Sequence, residues 1–497
     1  MTTQDRHTTR PEGSTVPRSL AFTIADKASG MVLSITTMAI VSRILSPAEI
    51  GVFLVGSGII VLIEAFRDFG VATYLIQARE MTAQLFRTAV TIMALLSAAL
   101  AAAIFVLADV LAGFYDSAEL AQVIHIALLA FIVAPIGNPL LALLRRRMQF
   151  GRVALIGMAA GATNAITSMG LAFAGYGMFS LAWASVLAAG VSALGAVIAT
   201  RKLPSFRPSL AEWRVLLPFG AWSSIVTLLG MMMEALPRLI LGRMLGFEMA
   251  GLFARSVALS QLPERLFLSA VQPVVLPAMA ARLRMGDSVA APYLLGTSWI
   301  TGLQWPMLAM IALLATPLVS LLLGEQWTGV VPLLRIVALS SLFLFPQYLA
   351  FPVLVAAGRV RLMAVASAIT LPVSGLIMIF AAHWGLREAA LSLFIIAPFQ
   401  GLIMLHVTHR CIRFGWGNLL GVLCRSGLVA AMTAAPAAAV LLWQAGTLDA
   451  GLGPGALASV AGLLGWMVGL KATGHPIGAR LGVLSGRLRL LRTVPQR

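Results

Sequence analysis

The sequence predicts an all-α polytopic membrane protein with about fourteen transmembrane helices. Three observations predict this fold class. Hydrophobic residues make up 60% and charged residues 11% of the 497 residues, and the mean hydropathy is +0.94. The apolar residues form segments of roughly 20, the length that crosses a bilayer as a helix. Part of the first half of the chain also recurs in the second half, as in many transporters.

The internal repeat is visible when residues 21–64 are shifted by 200 positions onto residues 221–264 without a gap. Ten positions are then identical, against about four expected by chance for this composition. One match pairs the charged residues Glu64 and Glu264, which low-complexity apolar sequence does not readily supply. Repeats in membrane proteins usually place a substrate pathway between two halves that move against each other. The repeat therefore points to transport.

Six apolar segments in each half, and two more near the C-terminus, are long enough to span a membrane. In the first half they cover approximately residues 20–42, 50–72, 88–108, 120–143, 153–174 and 178–199. In the second half they cover approximately residues 215–236, 250–273, 293–323, 331–356, 362–382 and 387–408, and the final two cover 419–443 and 455–470. Because six is even, both copies enter the membrane from the same side, which predicts a pseudo-twofold axis along the membrane normal.

The order of the segments predicts the domains. Residues 1–18 form a cytoplasmic tail, residues 19–200 a first lobe of six helices, and residues 201–214 a basic cytoplasmic linker. Residues 215–410 form a second lobe of six helices, residues 411–470 contain two unpaired helices, and residues 471–497 form a basic cytoplasmic tail. The two unpaired helices have no counterpart in the repeat. We expect them to form an appendage that faces lipid or docks a partner.

Basic residues indicate the orientation, since loops rich in Lys and Arg stay in the cytoplasm. Most of the 35 Lys and Arg residues fall in the termini and in alternate loops, whereas the opposite loops contain only Arg43, Arg243 and Arg387. We expect a multi-pass protein of the bacterial inner membrane with both termini in the cytoplasm. This topology, with attraction to anionic headgroups, explains the net charge of +17, and no nucleic-acid-binding motif accompanies it.

The sequence gives little support to enzyme chemistry, and we expect no metal or cofactor. No loop is long enough to carry a catalytic domain, and the G-x4-G-K-[ST] pattern of an ATP-binding loop is absent from the sequence. His406 and His409 have the i, i+3 spacing of a ligand pair, but no acids join them. We expect a transporter rather than an enzyme.

Three stretches of the chain resemble one known family. They are F-R-D-F-G-V-A-T-Y-L-I-Q at 66–77, R-R-R-M-Q-F-G-R at 145–152 and G-E-Q-W-T-G-V-V-P-L-L-R at 324–335. They are similar to the Wzx-type oligosaccharide flippases, polysaccharide biosynthesis proteins of the multidrug/oligosaccharidyl-lipid/polysaccharide exporter superfamily. The resemblance extends over about residues 18–440 in segment order.

The resemblance implies two six-helix lobes arranged in a V, which is consistent with the repeat. It also implies a substrate, a polyprenyl-pyrophosphate-linked oligosaccharide repeat unit that moves from the cytoplasmic to the periplasmic leaflet. No sharp signature fixes the functional residues of this family. Candidate sites are therefore argued from charge placement.

Charged residues inside membrane helices are costly, so they usually face a cavity or a partner. Helix one contains Asp26 and Lys27, and helix two contains Glu64, Arg67 and Asp68. Glu64 and Asp68 share one helix face, and Arg67 lies beside Glu64. All five are expected in the cytoplasmic third, where Lys27 with Glu64 or Asp68 would close an inner gate. The alternative is that these groups lie at the headgroups, with lysine and arginine snorkelling.

Arginines are the candidates for binding a pyrophosphate, because the planar guanidinium matches phosphate oxygens with several donors. Arg238 and Arg255 are the first candidates, with Arg67 and Arg335 behind them. Arg238 follows Glu234 by one helical turn. The alternative for each arginine is an interhelical or interfacial ion pair.

Carboxylates and their neighbours are the candidates for gating or coupling. Glu264 matches Glu64 in the repeat, and Arg265 beside it points about 100° away. The complete set comprises Asp26, Lys27, Glu64, Asp68, Glu234, Glu264 and Arg265. Tryptophans near predicted helix ends, namely Trp305, Trp327 and Trp384, are expected to anchor the protein at the membrane interface rather than to stack on sugars.

The predicted function is a flippase that moves the lipid-linked oligosaccharide by alternating access for surface polysaccharide biosynthesis. Its expected partners are that substrate, membrane lipids, and a polysaccharide polymerase and chain-length regulator. One alternative is a cation-coupled drug or metabolite antiporter of the same superfamily. Others are a polytopic polysaccharide polymerase or ligase, which predicts a large periplasmic loop that the hydropathy does not offer, and a non-transporting scaffold.

Overall fold

The computed structural model describes residues 15–68, 70–78, 80–201, 208–265, 279, 282, 285 and 287–478. Side chains are described in these ranges except at residues 15–28, 215, 217–223, 225–226 and 360. Throughout the described ranges, the regular secondary structure is helical. The all-α fold class predicted from composition and segment length is confirmed.

The helices of the first half follow the apolar segments. They are α1 (Thr15–Ile44), α2 (Pro47–Asp68), α3 (Val71–Gln77), α4 (Ala83–Phe114), α5 (Ala118–Arg146), α6 (Phe150–Phe173) and α7 (Phe179–Thr200). A capping box starts α2, because the Ser46 amide donates to Glu49 Oε2 at 2.8 Å and the Glu49 amide donates to Ser46 Oγ at 3.3 Å. Pro47 occupies the first helical position, where no intrahelical partner for an N–H exists.

The second half is more segmented than the first. Its helices are α8 (Trp213–Met244), α9 (Phe247–Ser260), α10 (Ala290–Leu313), α11 (Ala315–Leu322), α12 (Val330–Ser340), α13 (Phe345–Ala356), α14 (Val360–Ala382), α15 (Leu386–Leu391), α16 (Leu393–Ile412), α17 (Trp416–Ala445) and α18 (Leu452–Ala472). Helices α10 and α11 meet at a bend of 78°. A 3₁₀ turn at Glu325–Trp327 then leads into α12.

All fourteen predicted segments fall on these helices, although for the eighth, 250–273, the structure describes only the part up to residue 265. Among the described residues, ten helical segments are long and apolar enough to cross a membrane, with α12–α13 and α15–α16 each counted as one segment, or eleven if α10 and α11 are one bent span. The chain is therefore a multi-pass membrane protein. The number of fourteen spans stays a prediction.

The chain forms two compact units. The first comprises Met1–Thr37, Glu64–Leu107 and His125–Ser224, and the second comprises Met38–Ile63, Ala108–Ile124 and Ile225–Arg497. Residues 38–63 and 108–124 of the predicted first lobe thus belong to the second unit. In the first unit, Val71 and Leu75 of α3 pack against Leu85 and Met93 of α4. In the second unit, α17 packs against α10 and α18, so the two unpaired helices adjoin the second copy of the repeat.

Within the second unit, the two copies of the repeat meet at equivalent glycines. A Cβ built on Gly51 of α2 would collide with the carbonyl oxygen of Phe247, and a Cβ built on Gly251 of α9 would collide with that of Pro47. Pro47 and Phe247 are themselves 200 positions apart. Each copy of the repeat therefore makes the same contact with the other copy, as expected for a pseudo-twofold relation. The starts of α2 and α9 approach so closely because neither position carries a side chain.

Candidate functional site

The acidic cluster of α2 lies in the first unit and surrounds one arginine. Arg67 is only 4% exposed. Its Nη1 lies 3.0 Å from Glu64 Oε1, and its Nη2 lies 3.3 Å from Asp68 Oδ1. The Phe131 ring of α5 covers the guanidinium, with 4.7 Å between Cζ and the ring centroid. Arg67 therefore contacts both carboxylates of the cluster and offsets part of their negative charge.

An asparagine of α5 completes this cluster. Asn138 Nδ2 donates to Asp68 Oδ1 at 3.1 Å. Asn138 stands in a helix segment that also contains Pro135 and Pro139. The sequence analysis missed Asn138, because a single amide between apolar residues carries no periodic or charge signal.

Arg238 lies in the second unit, on α8, and contacts no carboxylate among the residues that the structure describes. A Cβ built on Gly58 of α2 would lie 2.9 Å from Arg238 Nε, so the guanidinium rests on the helix surface at that glycine. The Nε–H is buried and has no hydrogen-bond partner within the described ranges. Glu234, one turn earlier, is exposed, and among the described residues it makes no ion pair with Arg238.

Arg255, on α9 of the same unit, also lacks an acidic partner among the residues that the structure describes. Its Nε–H is buried and finds no hydrogen-bond partner in the described part of the chain. Its Cζ lies 5.7 Å from the centroid of the Trp327 ring, within the range of a cation–π contact. An aromatic face stabilises the cation but leaves the edge donors of the guanidinium available to an anion.

The G-E-Q-W stretch has a clear structural role at the end of α1. The Trp327 indole N–H donates to the Ser42 carbonyl at 2.6 Å, and Gln326 Nε2 donates to the Leu45 carbonyl at 3.1 Å. Gln326 also donates to the Ser42 carbonyl. The last carbonyls of a helix lack intrahelical partners, so this 3₁₀ turn caps α1. Trp327 is fully buried, and its expected role as an interface anchor is wrong.

Glu264 differs from its counterpart Glu64. Its Oε2 accepts a hydrogen bond from the Tyr348 hydroxyl at 3.4 Å, and that hydroxyl accepts one from Gln304 Nε2 at 2.7 Å. The position that corresponds to Arg67 is Phe267. The neighbouring Arg265 is exposed and donates to Gln261 Oε1 at 3.4 Å. The sequence analysis did not identify Tyr348 or Gln304, which join Glu264 only through the fold.

Arg335 is committed to an ion pair with the loop between α17 and α18. Its Nη2 lies 2.6 Å from Asp449 Oδ1, which also accepts a hydrogen bond from Thr316 Oγ1 at 2.8 Å. The Thr316 hydroxyl, followed by Arg335, lowers the pKa of the Asp449 carboxyl from its ordinary value. This three-residue contact fastens the unpaired helices to α11 and α12.

The remaining candidates give no further geometry. Asp26 and Lys27 lie on α1, but their side chains lie outside the described residues. Within the ranges that the structure does describe, no group of three His, Cys, Asp or Glu residues is arranged to bind a metal.

Arg238 and Arg255 therefore stand apart from the other arginine candidates. Arg67 and Arg335 each contact a carboxylate, whereas these two have none within the described part of the second unit. Arg238 lies six residues before the end of α8 and Arg255 eight residues after the start of α9, which places them about 9 Å and 12 Å along their helices from the α8–α9 turn.

The sequence matches one known family over more than half of its length. The family, described as "Polysaccharide biosynthesis protein", matches residues 40–332. A relative in Rhizobium meliloti (strain 1021), the succinoglycan biosynthesis transport protein ExoT, is 26% identical over 345 residues, which cover 69% of this chain and 70% of the relative. The lipopolysaccharide biosynthesis protein WzxC of Escherichia coli (strain K12) is 24% identical over 319 residues, or 62% of this chain and 63% of that protein.

Two solved structures share the fold. The lipid II flippase MurJ in an inward closed conformation superposes with a TM-score of 0.73 at 12% identity, covering 90% of this chain and 98% of that chain. An inward-facing multidrug resistance MATE family transporter gives a TM-score of 0.61 at 14% identity, covering 79% and 98%. Identities this low show the fold alone. The relative ExoT is named as a transport protein rather than as an enzyme.

Proposed function

This chain belongs to the polysaccharide biosynthesis protein family, and from this premise we propose that it is a flippase for a lipid-linked oligosaccharide. Its substrate is an oligosaccharide repeat unit on a polyprenyl pyrophosphate, which it moves from the cytoplasmic to the periplasmic leaflet by alternating access. The family match, the names of the transport and lipopolysaccharide relatives, and the flippase-like fold support this proposal.

One structural observation carries the proposal: within the described residues, Arg238 of α8 and Arg255 of α9 contact no carboxylate, and the sequence predicts that both helices lie in the membrane. A cation inside a membrane helix costs several kcal/mol on most scales, so it is retained where it binds an anion or a partner. The pyrophosphate is the anionic part of the substrate, and arginine binds phosphate oxygens through paired donors. We propose that these two arginines bind the pyrophosphate while the polyprenyl tail stays in lipid.

The other charged candidates receive different roles in this proposal. Arg67 and Arg335 already contact carboxylates, so an incoming phosphate must displace an existing ion pair at either residue. We assign Arg67 to the organisation of the α2 cluster and Arg335 to the attachment of the last two helices. Gating or coupling is assigned to Asp26, Lys27, Glu64, Asp68, Glu234, Glu264 and Arg265.

We further propose that the protein resides in the bacterial inner membrane with both termini in the cytoplasm. The concentration of Lys and Arg in alternate loops supports this orientation. A polysaccharide polymerase and a chain-length regulator are the proposed partners, because a flipped repeat unit needs an enzyme that extends it.

The test is the leaflet distribution of polyprenyl-linked oligosaccharide in a strain that lacks the gene. The strain is complemented with the wild type, with the double variant Arg238→Ala plus Arg255→Ala, or with Arg243→Ala. Arg243 is a matched control, because it is also on α8 but is exposed and pairs with Asp116 at 3.5 Å. Each lost arginine contact is expected to weaken binding about tenfold or more.

Cytoplasmic accumulation that the wild type and Arg243→Ala relieve, but the double variant does not, is the expected result. Rescue by the double variant as well would keep the flippase and reject the arginine assignment. Periplasmic accumulation, or no accumulation, would reject the flippase. Cation-dependent efflux of a soluble compound by the purified protein would then favour the antiporter alternative.

A further inference from the structure

The 3₁₀ turn Glu325–Trp327 contacts both the end of α1 and Arg255 of α9. One edge of the Trp327 indole bonds to the last turn of α1, and its face lies beneath Arg255 of α9. The stretch also belongs to a motif whose purpose the proposed function does not explain. A tryptophan used for capping alone needs its N–H but not an arginine over its ring.

The contact with Trp327 is the one described interaction of the Arg255 head group. Among the described residues, Arg255 makes no ion pair, and its Nε–H has no hydrogen-bond partner. An arginine side chain has many rotamers, and restricting them before a ligand arrives improves affinity. A rigid, fully buried ring at 5.7 Å restricts the guanidinium in this way without occupying its donors.

The ring is itself fixed by backbone groups. The Ser42 carbonyl accepts the indole N–H at 2.6 Å, and Gln326 supports the same turn of α1 through the Leu45 carbonyl at 3.1 Å. In addition, Arg43 Nη2 donates to the Leu321 carbonyl at 2.7 Å, at the end of α11. The end of α1 is thus joined both to the 3₁₀ turn and to the end of α11.

We propose that Trp327 is a positioning residue for Arg255 and that it links the placement of this arginine to the last turn of α1. The proposal rests on the proposed function, because its consequence is a change in affinity for the diphosphate head group. Displacement of the last turn of α1 would move the ring, and the arginine would follow.

A double-mutant cycle tests this assignment in proteoliposomes that contain the purified full chain and a polyprenyl-pyrophosphate oligosaccharide. The apparent KM and kcat for flipping are measured for the wild type, Trp327→Leu, Arg255→Ala and the double variant. We expect Trp327→Leu to raise KM about tenfold with little change in kcat, and to raise it no further when Arg255 is already alanine. Trp327→Phe, which keeps an aromatic face while Gln326 retains the cap, should stay within about twofold of the wild type.

Trp305 supplies the matched control, because its indole N–H also donates to a backbone carbonyl, that of Leu342 at 3.0 Å. Trp305→Leu should lower stability without changing the KM. Equal effects of Trp327→Leu in the presence and absence of Arg255 would overturn the proposal, since a merely structural role is additive. Loss of flipping by the wild type itself would instead reject the proposed function, so the two failures are distinguishable.

If Trp327→Leu does not fold, fluorinated tryptophans introduced at position 327 decide the question. Fluorine withdraws electron density from the ring face but preserves the shape and the N–H donor. We expect KM to rise with the number of fluorine atoms when Arg255 is present and to stay constant when it is alanine. A KM independent of fluorination in the Arg255 protein would overturn the proposal.

Discussion

Gly51 and Gly251, related by the 200-residue repeat, each pack against the backbone of the other's helix start. The carbonyl oxygens that they approach belong to Phe247 and Pro47, which are related by the same shift. A Cβ on Gly251 would collide with the Pro47 carbonyl oxygen and would also lie 3.3 Å from the Gly51 nitrogen, so there is no room for a side chain at this position. The duplication seen in the sequence is therefore present as a physical contact.

Alanine at either glycine is expected to destabilise the protein. The added methyl group would displace a backbone carbonyl, and overpacking of this kind costs about 1–3 kcal/mol. Thermal unfolding of purified Gly51→Ala and Gly251→Ala measures the effect. Gly30 and Gly230 are the matched control pair, since they are also related by the repeat but a Cβ at either would meet nothing within 4 Å. Equal stability of Gly51→Ala and Gly230→Ala would contradict the close contact.

Removal of the arginine from the α2 cluster should expose the repulsion between its two carboxylates. Arg67→Met is expected to lower stability by about 1 kcal/mol, because it leaves two partly exposed carboxylates without their cation. Adding Glu64→Gln and Asp68→Asn should restore part of that loss, and unfolding in denaturant provides the measurement. If the triple variant is no more stable than Arg67→Met, the cost arises from packing on Phe131 rather than from charge.

A methyl group at Gly58 should displace Arg238 without removing its charge. The added Cβ would lie 2.9 Å from Nε, so the guanidinium must move. We expect Gly58→Ala to raise the apparent KM for the lipid-linked oligosaccharide about fivefold, equivalent to ~1 kcal/mol. Flipping kinetics in proteoliposomes test this expectation, with Gly230→Ala on α8 as the control. An unchanged KM would separate Arg238 from substrate binding.

Attachment of the last two helices should weaken in acid. Because Thr316 and Arg335 lower the pKa of Asp449 in the folded state, the contact stabilises the protein above the unfolded-state pKa of about 3.9. That stabilisation is lost as the pH falls through the lower folded-state value. The thermal unfolding temperature should therefore fall more between pH 7 and pH 3 for the wild type than for Asp449→Asn. Parallel curves for the two proteins would show that the ion pair contributes nothing to stability.

Much of the fold followed from local features of the sequence. The Ser46 to Glu49 spacing and Pro47 are a local signal for the start of α2 that the prediction of a segment from about residue 50 did not use, and the structure forms the corresponding capping box there. The ion pair of Glu64 with Arg67 is one helical turn long, so an i, i+3 argument could anticipate it. The predicted helices were found because each contains its own apolar signal.

Contacts across the fold were beyond this kind of reasoning. Arg335 and Asp449 are separated by 114 residues, and no periodic pattern connects them. Tyr348 was hidden within an apolar segment, although its hydroxyl bonds to Glu264. The role of Trp327 was misjudged because a tryptophan near a helix end has the same sequence signature whether it faces the membrane interface or a backbone carbonyl.

The cap on α1 also constrains how the protein is made. The donor of the Trp327 indole lies 285 residues after the Ser42 carbonyl that it binds. At a synthesis rate of about 5–20 residues per second, the ribosome needs about 15–60 s to cover that interval. Until then, the last carbonyls of α1 depend on water or on the insertion machinery for hydrogen bonds. The first helix to enter the membrane is thus completed only after translation has passed into the second half of the chain.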